Sequence, residues 1–483
     1  MMADFVTKLS NESWDTVFDS SDIDSKFNCF LNTYLRIFYS SFPLKIVKND
    51  IKNKTAWITV GIKTSCKHKT YLASRDSNDP RLKSHYKMYC KILSKVFKEA
   101  KQNNYNQILK SNNKIKTTWD IVKVESGKKT VNEDVQSLNI EGKSTNNPQA
   151  IASAFNEYFL SLVEKTYLNN NPIYYLSHSF NSSFPNINLK SSTIKEIENI
   201  IKSLKPKNSH GYDEISTNLL KASSVYISSP LNQLCNKSLS SGILPQRLKY
   251  AVVKPLFKRG ERKCISNYRP VSILTSFSKV FEKVIYNRLL EHLNSNNTLV
   301  KEQFGFRKDI TTEKATYELT NDNLNALNNR LIVGGIFCDL AKAFDCVNHD
   351  ILLSKLNFYG ITGKANEWIK SYLKNRYQRV EIKSKNSSSD AFSNWGIIKY
   401  GVPQGSILGP LLFILYINDL SKTINNKSKP IPFADDTSII FKNSKIEDFK
   451  NDINFVFEAL NRWFKANKLS LNFDKTHYIS FLN

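Results

Sequence analysis

The sequence has no Cys-x-x-Cys pair, and its seven cysteines (Cys29, Cys66, Cys90, Cys235, Cys264, Cys338 and Cys346) are odd in number, which argues against a disulfide framework of the secreted kind. Cys66 and His68 stand close together, but no second ligand pair follows at zinc-site spacing, so no structural zinc is expected. Long apolar runs are also missing. The strongest, Leu411 to Ile417 with its flanks, falls well short of the roughly 20 residues that span a bilayer. It reads as a buried helix, and no membrane partner is expected. The N-terminus lacks the basic start and apolar core of a secretory signal, which points to a reducing intracellular setting. No internal repeat is evident. Acidic residues are the scarcer charge: 43 Asp and Glu face 69 Lys and Arg, and the balance of +26 favours a polyanionic partner. Many of those lysines are interleaved with Asn, Ile and Ser, as biased coding composition produces, so charge alone names no ligand.

What is present suffices for two or three packed units, since 41% of 483 residues are hydrophobic. Residues 1–130 read as a basic helical region, with Tyr86, Tyr89, Ile92 and Val96 at helical spacing between Pro80 and Trp119. Lys128 to Asn147, rich in Gly, Ser, Thr and Asn, reads as a linker or exposed loop and a domain boundary. Residues 131–206 then supply that linker and a helical extension. One helix carries Ile151, Ala154, Phe155, Tyr158, Phe159 and Leu162, another Ile194, Ile197, Ile201 and Leu204, and Asn169 to Ser192 between them reads as a mobile connection. Residues 207–483 alternate short apolar runs with amphipathic helices, which predicts an α+β domain whose sheet is covered by helices on one side. Phe277, Val280, Phe281, Val284, Ile285 and Leu289 form a helix stripe. Leu331 to Phe337 is of strand length, and Ile431 to Phe441 holds two strands broken at Ala434, Asp435 and Asp436, a hairpin tipped by carboxylates. A helix bearing Ile446, Phe449, Ile453, Phe457, Leu460 and Phe464 follows, then a strand pair around Leu471 and Ile479.

Asp339 ends an otherwise apolar strand, where a lone buried carboxylate is costly, so it must face water or a cation. Asp435 and Asp436 are in the same position. Singly, each reads as a turn or cap residue. Together they form a hard-oxygen donor set suited to Mg²⁺, and two such ions about 3.5–4 Å apart clamp the attacking and leaving oxygens of a phosphoryl transfer. Gly401 to Pro410 forms a glycine-bounded loop entering an apolar helix. There Gly405 leaves room for a flat base or sugar, and Ser406 with Pro410 suits a first helical turn.

Phe337 to Asp345, Gly401 to Ser406 and Phe433 to Asp436, with Asn267 to Ser272 and Gln303 to Arg307 in the same order, resemble the reverse transcriptases of non-LTR retrotransposons, closest to jockey-like elements. The resemblance covers roughly residues 200–483. Around Trp57, Ile58 and Thr59, the chain is similar to the segment linking endonuclease and polymerase in those elements. It implies a right-hand polymerase with fingers and an antiparallel palm sheet, the thumb largely absent, copying an RNA template from a DNA primer with deoxynucleoside triphosphates. The expected cofactor is Mg²⁺, two ions, with Mn²⁺ as a substitute, and the expected location is the nucleus.

By resemblance, Asp339, Asp435 and Asp436 bind metal, with the Leu340 carbonyl as a further ligand. Phe344 lies beneath the incoming sugar to exclude a 2′-hydroxyl, and core packing is its bland alternative. Gln404 and Gly405 touch the nucleotide. In the hairpin Val252 to Ile273, Arg269 offers a planar fork and Lys258 a point charge for the triphosphate, with Lys254 and Arg259 competing for the second role. Arg307 supports nucleic acid or the fingers. Lys475 donates a proton to pyrophosphate or is merely solvated. At Gly211 the sequence departs from the family, with Tyr212 and Glu214 where proline and glycine are common. An RNA-dependent RNA polymerase shares the metal carboxylates, but Phe344 and Phe433 to Asp436 argue against it. A truncated, catalytically silent nucleic-acid-binding relic is the alternative of another class.

Overall fold

The computed structural model describes residues 1–43, 57–75, 79–110, 114–126, 135–161, 172–180, 182–383, 390–424 and 427–481. They fall into two compact units, Leu44–Glu133 and a larger one made of Met1–Pro43 with Asp134–Asn483. The expected region 1–130 is therefore not one body. Helix Ile23–Ser41, capped by Asp22 accepting from the amides of Asp24 and Ser25, presents Phe27, Phe30 and Tyr34 on one face. Their rings meet Phe277 and Phe281 of helix Ser276–Ser295 at centroid distances of 5.2 to 6.5 Å. Aromatic burial thus ties the first 43 residues to the larger unit.

Leu44–Glu133 carries 21 Lys and Arg against 7 Asp and Glu, so more than half of the chain's excess positive charge lies in this unit. Helices Val60–Ser74 and Pro80–Leu109 pack together, Tyr89 Oη donating to the Ser65 carbonyl (3.3 Å). Ile62 and Leu93 are buried there, whereas Ile92 and Val96 of the expected stripe are exposed. The partner helix meets the side bearing Tyr89 and Leu93, one turn apart.

Lys128 to Asp134 lies outside the described residues, but the rest of the expected linker is ordered into the larger unit. Leu138–Ile140 pairs with Lys143–Thr145 through a turn in which Glu141 and Gly142 both have positive φ, the two-residue geometry that matches strand twist. Leu138 is fully buried in a cluster with Phe155, Tyr268 and Val380. The connection expected to be mobile is also tied down. It contains helix Pro172–Ser179, and Phe184 N donates to the Phe358 carbonyl (3.1 Å) and Ile187 N to that of Gly360 (2.8 Å). Leu162 and Asn169 to Asn171 lie outside the described residues.

The larger unit is α+β, with two principal sheets. In the first, an antiparallel sheet, the strands run in the order His477–Phe481, Ile332–Cys338, Asp436–Asn443, Lys429–Phe433. Helix Thr312–Asn328 covers one face over Val333, Ile431 and Ile440. Helices Leu408–Ile417 and Ile446–Ala466 belong to the core on the other, with Ile336, Ile439 and Phe441. The sheet is thus covered on both faces rather than one, and the unbroken apolar run of its central strand is the mark of a strand buried on both sides. Of the expected terminal pair only His477–Phe481 is a strand, while Leu471 makes a single bridge to Leu340. The second sheet is mixed: Tyr250–Phe257 pairs antiparallel with Tyr268–Leu274 and parallel with Arg376–Ile382, a strand the sequence reading did not anticipate. Among the described residues, no helix is long and apolar enough to cross a membrane.

Candidate active site

Strand register brings the carboxylates to one edge. Thr437 pairs with Cys338 in the antiparallel ladder, so Asp436 and Asp339, each one position further along, stand at neighbouring strand ends. Ala434 and Asp435 make the two-residue turn between Phe433 and Asp436, with Ala434 at φ 57°. The Asp436 carboxyl is pushed above its ordinary value by burial, then by Asp435 and Asp339, while Lys258 and Lys475 pull it back. Four groups named from sequence therefore act on Asp436 here. Lys475 Nζ lies 3.1 Å from Asp339 Oδ2, and Asn472 Nδ2 donates to the same oxygen (3.1 Å).

The donor set has the chemistry of a hard-cation site, because its donors are carboxylate oxygens and the charges of Asp435 and Asp339 both disfavour the ionised form of Asp436. Among the described residues, however, no three His, Cys, Asp or Glu side chains already form a group able to hold a metal ion. The convergence expected from sequence is thus a shared edge, not a closed cage, and the Lys475 and Asn472 contacts to Asp339 oppose closure. Leu340 is buried, and the backbone bonds across its bridge to Leu471 are made by its neighbours, Ala341 N to the Ser470 carbonyl and Asn472 N to that of Asp339.

Phe344 is half-buried, stacked on Phe413 (4.5 Å) and met edge-on by Phe306 (5.9 Å). Packing fixes its ring. Gln404 Nε2 donates to both oxygens of Asp345 (3.0 and 2.9 Å), so its amide nitrogen is held from within the protein. Burial pushes the Asp345 carboxyl up to about 6, against the Gln404 hydrogen bond and the Lys342 charge. Both residues line a cavity of about 50 Å³ together with Ser272 and Arg376. Gly405, at φ 115°, is explained first by the chain: a Cβ there would lie 2.6 Å from the Ser272 carbonyl oxygen. That close approach lets the Gln404 carbonyl accept from Ser272 N (2.8 Å), docking the loop on strand Tyr268–Leu274.

Lys258 closes the hairpin, its amide donating to the Asn267 carbonyl (2.9 Å), and its side chain is exposed. Lys254 is paired with Glu381 (2.9 Å), which removes one competitor for its role. Arg269 is exposed opposite Leu256. Arg307 turns inward, Nη1 donating to the Val300 carbonyl (2.8 Å), so its hydrogen bond serves its own loop.

Sequence reasoning missed the fully buried Glu282, whose Oε2 accepts from the amides of Ile407 (2.7 Å) and Leu408 (3.2 Å) at the start of the buried helix. An anion at a helix N-terminus is favourable. The available signal was a glutamate inside the stripe of Phe281 and Val284. It also missed the buried pair Lys355–Asp419 (2.6 Å), which Trp463 Nε1 joins by donating to Asp419 (2.9 Å).

Acids thus stand at the end of an antiparallel sheet, and a lysine of the hairpin acts on one of them, Asp436. Residues 257–481 match the family described as reverse transcriptase (RNA-dependent DNA polymerase). The probable RNA-directed DNA polymerase from transposon BS of Drosophila melanogaster is 31% identical over 60% of this chain and 32% of its own length. The RNA-directed DNA polymerase from mobile element jockey of the same species is 28% identical over 64% and 33%, and the probable enzyme from its transposon X-element 28% over 56% and 30%. Residues 257–481 are thus similar to reverse transcriptases, and these relatives are enzymes of transposons and mobile elements. The chain spans about a third of the length of these curated relatives.

Proposed function

We propose that the chain is an RNA-directed DNA polymerase that adds deoxynucleotides to a primer 3′-hydroxyl on an RNA template. One observation carries the reading: the strand register sets Asp436 opposite Asp339, one position beyond the Thr437–Cys338 pair, with Asp435 beside it in the hairpin turn. Asp339, Asp435 and Asp436, with the Leu340 carbonyl, would hold two Mg²⁺ ions, with Mn²⁺ able to replace them. Bound there, the ions would lower the pKa of the primer hydroxyl and neutralise the departing pyrophosphate. Arg269 and Lys258 bind triphosphate oxygens from the hairpin. Lys475 donates a proton to the departing pyrophosphate, and its contact with Asp339 (3.1 Å) keeps it beside the carboxylates. Phe344, set by Phe306 and Phe413, forms the floor against a 2′-hydroxyl. Gln404, steadied by Asp345, reads the nucleotide, and the site of action is the nucleus.

The test is primer extension on an RNA template with Mg²⁺ and deoxynucleotides, wild type against Asp435→Asn. Wild type should extend and the variant should not. Equal extension by both removes Asp435 from the mechanism, and ribonucleotide incorporation at similar rates removes the Phe344 gate. No incorporation by wild type favours the silent nucleic-acid-binding relic.

A further inference from the structure

The carboxylate hairpin does not hold its own shape. Ala434, the first turn residue, is buried and has φ 57°, a left-handed backbone that a side-chain-bearing residue keeps only when its surroundings enforce it. The enforcing segment is the loop Gln303 to Arg307. Gln303 is 2% exposed, and its Oε1 accepts from Ala434 N (3.1 Å) and from Gly305 N (2.7 Å). Phe304 N donates to the carbonyl of Pro432 (2.9 Å), on an edge strand whose prolines offer no amide at 430 or 432. Gly305 lies so close to the turn that a Cβ would come within 2.2 Å of Ala434 N. The loop is itself anchored at depth: Val300 N donates to Asn418 Oδ1 (3.0 Å), and Asn418 Nδ2 to the Thr298 carbonyl (2.9 Å). Phe306 of the same loop meets Phe344.

From this geometry we infer that Gln303, with Gly305, is a positioning residue: its carboxamide oxygen sets the Ala434 turn and thereby where Asp435 and Asp436 present their carboxylates to a divalent cation. Gln303 is buried and acts through the turn. The inference rests on the polymerase reading for the use of those carboxylates, but not for the brace itself.

The experiment compares wild type with Gln303→Met, which keeps length and volume without the oxygen, and Gln303→Glu, which restores an acceptor. Three quantities are read on the full chain: melting temperature, Mn²⁺ affinity of the protein alone by electron paramagnetic resonance titration, and the Mg²⁺ concentration giving half-maximal extension. Gln303→Met should weaken Mn²⁺ binding and raise the Mg²⁺ requirement, each by roughly 10-fold, the scale of one lost buried hydrogen bond. Its melting temperature should change little, and Gln303→Glu should recover most of the affinity. Should Gln303→Met not fold, Gln303→Asn, one methylene short of Ala434 N, carries the same comparison. A folded variant with unchanged Mn²⁺ affinity and Mg²⁺ requirement overturns the inference. Mn²⁺ binding that depends on Gln303 in a protein that extends no primer leaves the brace standing and removes the polymerase reading. A wild type that binds no Mn²⁺ removes both.

Discussion

The two principal sheets of the larger unit hold opposite charges by opposite means. The antiparallel sheet that ends in Asp339 and Asp436 is covered on both faces, and its turn is bound by the Gln303 loop. The mixed sheet that carries Lys258 and Arg269 packs one face against Phe155 and Phe159 and leaves both cations exposed. Acids that must share a cation gain from fixed positions, because a small displacement forfeits a ligand. Cations that meet a flexible triphosphate need reach more than rigidity. On this comparison, losses in the first sheet should appear in turnover and losses in the second in substrate affinity.

The largest expected effect is at the acid end. Asp339→Asn should lower kcat for extension by roughly 10³-fold, on the order of several kcal/mol of charge stabilisation, with a melting temperature near that of wild type. Steady-state kinetics and thermal unfolding check this together, and loss of fold instead of turnover would recast Asp339 as a structural residue. Arg269→Ala should raise KM for deoxynucleotides by roughly 10- to 100-fold while kcat changes less. A fall confined to kcat would break the comparison, since the hairpin would then act as rigidly as the antiparallel sheet.

The smallest effect concerns the root of the hairpin, where Gly211 abuts Thr275 at the end of strand Tyr268–Leu274. Asp213 beside it is buried, with Oδ1 accepting from Ile215 N (3.3 Å), and among the described residues Oδ2 has no hydrogen-bond partner. Burial pushes its carboxyl up from 3.8 to about 7. The native state therefore binds this proton more tightly than the unfolded chain. Its contribution to stability is complete below about pH 4 and is lost as pH rises through about 7. Asp213→Asn should reduce the drop in unfolding free energy between pH 5 and pH 8, read from urea titrations, by up to about a few kcal/mol. An unchanged pH dependence would mean that water reaches the carboxyl.

Much of the site was legible because its signals are local in the chain. Asp339 closes an apolar run, Asp435 and Asp436 interrupt another, and Gly405 lies in a loop bounded by glycines. Strands and hairpins of this kind declare themselves within ten residues, through period, turn chemistry and a charge where none should be buried. The expected linker misled for the same reason. Gly142 and its polar neighbours do signal a turn, but nothing nearby shows that Leu138 will be buried against Tyr268 and Val380, far along the chain.

The amino-acid order by itself determined that Asp339, Asp435 and Asp436 stand where apolar runs end or break, and that the domain holding them is α+β. Only the folded chain decided that Met1–Pro43 joins the larger unit, that Asp345 holds Gln404, that Glu282 caps the buried helix and that Gln303 shapes the Ala434 turn. Each of the last three is a hydrogen bond between residues dozens of positions apart or more. Periodicity carries no trace of such a bond, because its cost is borne by burial that exists only once the two segments have met.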